Sequence, residues 1–146
     1  GLNPSTLELE ITETMLMGDV EAANTTVRQL HALGVRMAID DFGTGYSSLN
    51  YLKKFPINTV KVDRSFIIDI PESEDDKAIS SAVIAMAHRL NMEVVAEGVE
   101  TQDQLNFLLE HDCEYAQGYL FAKPLSLANL RPMLLPNVRV LRSSKS

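Results

Sequence analysis

The stretch VRMAIDDFGTGYSSLNYLKKFPINTVKVD, residues 35–63, reads as strand, helix, strand. VRMAID is a largely apolar run, a helix is expected from near Ser47 to Phe55 with Pro56 as its stop, and TVKVD forms the next strand. Short connections of this kind imply parallel strands joined by a right-handed crossover. The pattern continues outward in both directions. Upstream, TLELEIT at 6–12 alternates Leu7, Leu9 and Ile11 against Glu8, Glu10 and Thr12, and Val20, Ala23, Val27 and Leu30 at helical spacing give a helix ending at Gly34. Downstream come a helix carrying Ile79, Val83, Met86 and Leu90, then EVVAEG at 93–98 as a strand. A helix with capping-box spacing at Thr101 and Gln104 and with Leu105 and Leu108 on its face follows, then the strand YAQGYLFA at 115–122 and a last helix starting near Ser126.

Five consecutive strand–helix units make the class α/β. Buried parallel strands normally read as continuous apolar runs, yet one face here carries Glu8, Glu10, Asp40, Lys61, Asp63, Glu97 and Gln117. A closed barrel of alternating strands and helices places its chemistry at the C-terminal strand ends, and Glu10, Asp40, Asp41, Lys61, Glu97 and Gln117 fall there. An open doubly wound sheet would gather its ligand at one crevice rather than across successive strands. A complete barrel needs about 250 residues and eight units. The expectation is therefore a partial (β/α) TIM-type barrel, with an unpaired edge that favours self-association or complementation by an N-terminal piece.

The chain has 146 residues, 45% of them hydrophobic and 23% charged, and a formal net charge of −7. That charge argues against duplex nucleic acid and anionic membrane as direct partners. The single cysteine, Cys113, excludes an intrachain disulfide or a thiolate metal cluster. No stretch approaches a membrane span, and GLNPSTLELE lacks the basic and apolar regions of a signal peptide, so a cytoplasmic location is expected. A longer parent could still be anchored through other domains. His31, His88 and His111 show no metal-binding spacing, and neither they nor Cys113 are assigned chemistry.

Four carboxylates, Glu10, Asp40, Asp41 and Glu97, and one lysine, Lys61, at the same strand ends would repel one another unless cations lay between them. Hard oxygen donors select Mg²⁺, Mn²⁺ or Ca²⁺ over zinc. Paired ions about 3.5–4 Å apart are the arrangement that serves phosphodiester hydrolysis. Such ions would also supply the positive charge an acidic protein lacks for an anionic substrate.

ELEITET at 8–14, IDDFGTGYSSLNYL at 39–52, VKVDRSFI at 60–67, VVAEGVET at 94–101 and QGYLFAKPL at 117–125 resemble, in order, the motifs of the EAL domain. The resemblance implies a cyclic di-GMP phosphodiesterase of bacterial signalling that forms linear pGpG with two Mg²⁺ or Mn²⁺ ions and is inhibited by Ca²⁺. By that resemblance Glu10 and Asp40 are ligands of one metal, and Asp40, Asp41 and Glu97 are ligands of the second. Lys61 holds the attacking water, Gln117 is a polar partner of the water network, and Glu13 and Glu100 are supporting glutamates, Glu13 tethering the FGTGYSS loop. The Glu-Ala-Leu strand that names the family and a later metal-binding Asn are absent, and Asn3 lies in the wrong place to replace it. Residues 1–136 are thus read as the C-terminal part of an EAL domain, 137–146 as a basic, Ser-rich, disordered tail, and the isolated chain as inactive. The alternative is a non-hydrolytic cyclic di-GMP sensor or interaction module.

Overall fold

The computed structural model describes residues 1–45 and 52–134. The expected tail at 137–146 lies outside them, as does most of the helix expected near Ser47–Phe55. A 3-10 turn at Pro4–Thr6 precedes β1 (Glu8–Thr12), α1 (Glu13–Gly18), α2 (Val20–Ala32) and β2 (Arg36–Phe42). Then come β3 (Thr59–Val62), a 3-10 turn at Arg64–Phe66, α3 (Glu74–Arg89), β4 (Glu93–Glu97) and α4 (Gln102–Glu110), followed by β5 (Tyr115–Gln117) and the short α5 (Leu127–Leu130). The strands form one sheet in the order β1-β2-β3-β4-β5, every neighbouring pair parallel.

The helices begin where side chains take up the orphan amides. Asp19 accepts from the Ala22 amide at 3.0 Å, Ser73 accepts from Asp76 at 3.2 Å, and Thr101 and Gln104 form the complete capping box foreseen from their spacing. Glu74, Asp75 and Asp76 in the first turn of α3, with His88 and Arg89 in its last, match the helix dipole. Where the sequence suggested one helix after β1, there are two. Thr12 caps a short α1, and Asp19, extended in its backbone, ends it and caps α2 through its side chain.

The outward face of the strands supplies Met37, Ile39, Val60, Val62, Val94 and Ala96 to the core, against Leu16, Val27, Ile84, Leu105 and Leu108 from the helices. Each fully buried aliphatic side chain of this size contributes about 1.5–3 kcal/mol. On α3 the most buried stripe is Ser80, Ile84 and Ala87, with Val83, Met86 and Leu90 flanking it and Ile79 exposed. Two small residues in that stripe let α3 come close to the sheet.

The opposite face carries the polar residues in two layers. Near the N-terminal strand ends lie Glu8, Arg36, Thr59, Glu93 and Tyr115, and near the C-terminal ends lie Glu10, Asp40, Lys61, Glu97 and Gln117. Ala38 and Val95 separate the layers.

Candidate active site

Parallel pairing brings the C-terminal ends of all five strands to one edge, so each strand delivers a polar side chain to the same place. Lys61 on β3 stands at the centre, its side chain 9% exposed. Its ammonium lies 2.9 Å from Glu10 Oε1, 2.8 Å from Asp40 Oδ1 and 2.9 Å from Glu97 Oε1. Burial alone would lower the lysine pKa. Hydrogen bonds to Asp40, Glu97 and Glu10 outweigh it and hold the group above its ordinary value, so Lys61 stays charged. Gln117 on β5 donates through Nε2 to Glu97 Oε1 at 3.3 Å.

Asp41 reaches this group by an irregularity in β2. Consecutive strand residues point to opposite faces, so Asp40 and Asp41 should diverge. Ile39 pairs with Val60 and Phe42 with Val62, so β2 has one residue more than β3 between the two pairings. Asp41 adopts φ 55, the left-handed region that an aspartate tolerates better than most residues. With this bulge a carboxylate oxygen from each of Asp40, Asp41 and Glu97 lies within 4.8 Å of the others. An all-oxygen set of three carboxylates from β2 and β4, which flank β3, suits a hard divalent cation. Glu10 touches Lys61 and is not in this trio.

The loop leaving β2 is held from α1. Glu13, only 2% exposed, accepts through Oε2 from the Gly43 amide at 3.0 Å and the Gly45 amide at 3.4 Å. Residues 46–48 of the FGTGYSS loop, like 49–51 after it, lie outside the described residues. Glu100 does not join the central group. It is exposed after β4 and pairs with Arg64 at 2.9 Å. Arg64 and Phe66 were given no role from sequence although both stand in VKVDRSFI. Their signal was that motif. Arg64, Glu97, Glu100, Gln117, Tyr119 and Lys123 border a cavity of about 500 Å³ beside the trio, with Lys123 Nζ 5.4 Å from the Tyr119 ring centre.

The N-terminal layer is a second charge network. Arg36 donates to Glu8 at 3.1 Å, to Thr59 at 3.2 Å and to Glu93, and Thr59 in turn donates to Glu8 at 2.7 Å. Burial works against the guanidinium, but Glu8 and Glu93 prevail and hold its pKa above the usual value.

Known proteins resemble this arrangement closely. The chain is 54% identical over 134 residues to the cyclic di-GMP phosphodiesterase NbdA of Pseudomonas aeruginosa, covering 92% of this chain and 17% of NbdA. It superposes on the Pseudomonas aeruginosa MucR phosphodiesterase in complex with c-di-GMP with a TM-score of 0.85 and 47% identity, covering 88% of this chain and 52% of that one. The manganese and cyclic di-GMP complex of Klebsiella pneumoniae BlrP1 matches with a TM-score of 0.79 and 36% identity, over 85% of this chain and 32% of BlrP1. The chain thus spans about half of the MucR structure and under a fifth of NbdA, and its five parallel strands are part of a TIM-like barrel. No helix among the described residues is long and apolar enough to cross a membrane. Residues 1–124 match the sequence profile of the EAL domain, and the chain belongs to the EAL domain family.

Proposed function

We propose that this chain is the C-terminal part, residues 1–136, of a cytoplasmic cyclic di-GMP phosphodiesterase that hydrolyses one phosphodiester bond to give linear pGpG. The observation that carries this reading is the convergence of Asp40, Asp41 and Glu97 on one point beside the buried Lys61. Four carboxylates against one ammonium leave excess negative charge, which favours cations over a bare anionic substrate.

Mg²⁺ or Mn²⁺ held by Asp40, Asp41 and Glu97, and by Glu10 with Asp40, would screen the phosphate charge and acidify a water. Lys61, held protonated, is a hydrogen-bond donor and not a base, so it orients that water and opposes charge developing on phosphorus-bound oxygen. Glu97, which contacts both Lys61 and Gln117, would offer the carboxylate oxygen that takes the water proton. Gln117 fixes the orientation of Glu97. Glu13 holds the loop after Asp41, and Glu100 with Arg64 borders the cavity that receives part of the dinucleotide.

The test joins the preceding strands of the MucR domain ahead of Gly1 and follows pGpG release. The fusion should cleave cyclic di-GMP with Mg²⁺ or Mn²⁺, lose turnover on Lys61→Ala with less change in substrate affinity, and be inhibited by Ca²⁺. The 146-residue chain alone should be inactive and should self-associate in light scattering, since its β1 edge and Leu7, Tyr119, Phe121 and Leu127 are exposed. A fusion that binds the dinucleotide without cleaving it would establish the sensor instead. Rapid cleavage by the chain alone would refute the need for the preceding strands.

A further inference from the structure

We propose that Phe66 is a positioning residue for the metal site, its ring acting as the wall that keeps Asp41 turned toward Asp40 and Glu97. The inference rests on the reading of that trio as a cation site and goes beyond it by assigning a side chain with no polar atom. Asp41 is usable only because of the β2 bulge and its left-handed backbone, a conformation that needs support from its surroundings. Two residues on, Gly43 has φ 102, and a Cβ built there would lie 2.7 Å from Phe66 Cε2 and 3.2 Å from Cζ. The ring therefore occupies the space of the missing side chain. Glu13 grips the same residue through its amide at 3.0 Å. The exit from β2 is clamped between an aromatic face and a carboxylate.

The backbone that carries the ring is itself fixed. Phe66 ends the 3-10 turn that follows Lys61 and Asp63, its amide donates to the Asp63 carbonyl at 3.1 Å, and its carbonyl accepts from the Ser80 hydroxyl at 2.9 Å. Ser80 is fully buried on α3, so the core helix holds Phe66 from behind. The same segment thus supplies Lys61 to the site and the wall against the bulge. Thr44 closes the turn by donating through its amide and hydroxyl to the Asp41 carbonyl at 3.3 and 2.9 Å. Phe42, buried in the core between Asp41 and Gly43, anchors the segment on the helix side, and the Phe66 ring walls it at Gly43.

Mn²⁺ binding by the 146-residue chain, followed through the electron paramagnetic resonance signal of the free ion, tests this without any turnover. Phe66→Ala should weaken Mn²⁺ affinity by about tenfold or more, the scale on which residues that orient metal ligands act. Phe66→Leu keeps apolar bulk without a flat ring. It should fold even if the alanine variant does not, and should show a smaller loss. Leu108→Ala, a buried change on α4 remote from β2, should lower the unfolding temperature and leave Mn²⁺ affinity unchanged, separating positioning from general destabilisation. Wild-type affinity in both Phe66 variants would overturn the inference while leaving the cation site intact. A wild-type chain that binds no Mn²⁺ would remove the cation site and the inference together.

Discussion

The two ends of the same five strands each set one buried or half-buried cation among carboxylates, yet they are built for different ends. At the N-terminal ends, Arg36 faces Glu8 and Glu93, and Thr59 adds a hydroxyl that both donates and accepts, so acids exceed the cation by only one. At the C-terminal ends Lys61 alone faces Glu10, Asp40 and Glu97, with Asp41 close by, and negative charge is left over. A network near charge balance stabilises the fold by itself, and one with a larger excess of negative charge is stabilised further by a bound cation. Barrels of this kind divide stability and activity between the same two faces.

The sharpest way to break this contrast is to remove one acid from each end. Asp40→Asn should weaken Mn²⁺ binding about 10–100-fold, because Asp40 belongs both to the trio and to the Lys61 group, whereas Glu8→Gln should not change it. Equal binding by the two variants would erase the division of labour. A smaller effect follows from removing the other cation. Arg36 is 37% exposed, so solvent screens its pairs, and Arg36→Met should cost about 1 kcal/mol in urea unfolding with Mn²⁺ affinity intact.

Ionic strength sharpens the comparison further. Raising salt to about 1 M shortens the screening length to about 3 Å, so the Arg36→Met cost should shrink by about half while that of Lys61→Met, at a side chain 9% exposed, holds. Least of all should pH matter to Lys61. Its folded pKa is raised above the ordinary 10.5, so its contribution is complete below that value and is lost only as pH climbs through the folded one. The stability difference between wild type and Lys61→Met should therefore stay constant from about pH 6 to 9. A decline inside that window would mean that the lysine is not held by its three carboxylates.

Much of this molecule could be read from local pattern. Alternation in TLELEIT, the Thr101–Gln104 capping box and the Gly34 stop each act over a few residues, and each appears where local geometry demands. That Glu10, Lys61, Glu97 and Gln117 share one edge was legible because parallel strands place equivalent ends side by side. Glu100 was expected from its motif as a supporting glutamate, and its partner Arg64 could not be read from sequence because that pairing depends on how two loops meet. The exposed position of Ile79 likewise follows from which face of α3 small residues allow to approach the sheet.

By itself the sequence determined the strand and helix periods, the parallel order they impose, and a set of acids and one lysine at a common edge, since these follow from side-chain spacing along the chain. Tertiary structure alone supplies the geometry by which two adjacent aspartates, paired in the sequence reading by their motif, come to lie together. Period-two geometry would send Asp40 and Asp41 to opposite faces. Only the bulge against β3, the left-handed Asp41 backbone and the hold of Glu13 and Phe66 on Gly43 bring both to Glu97, because those constraints come from segments far apart in sequence.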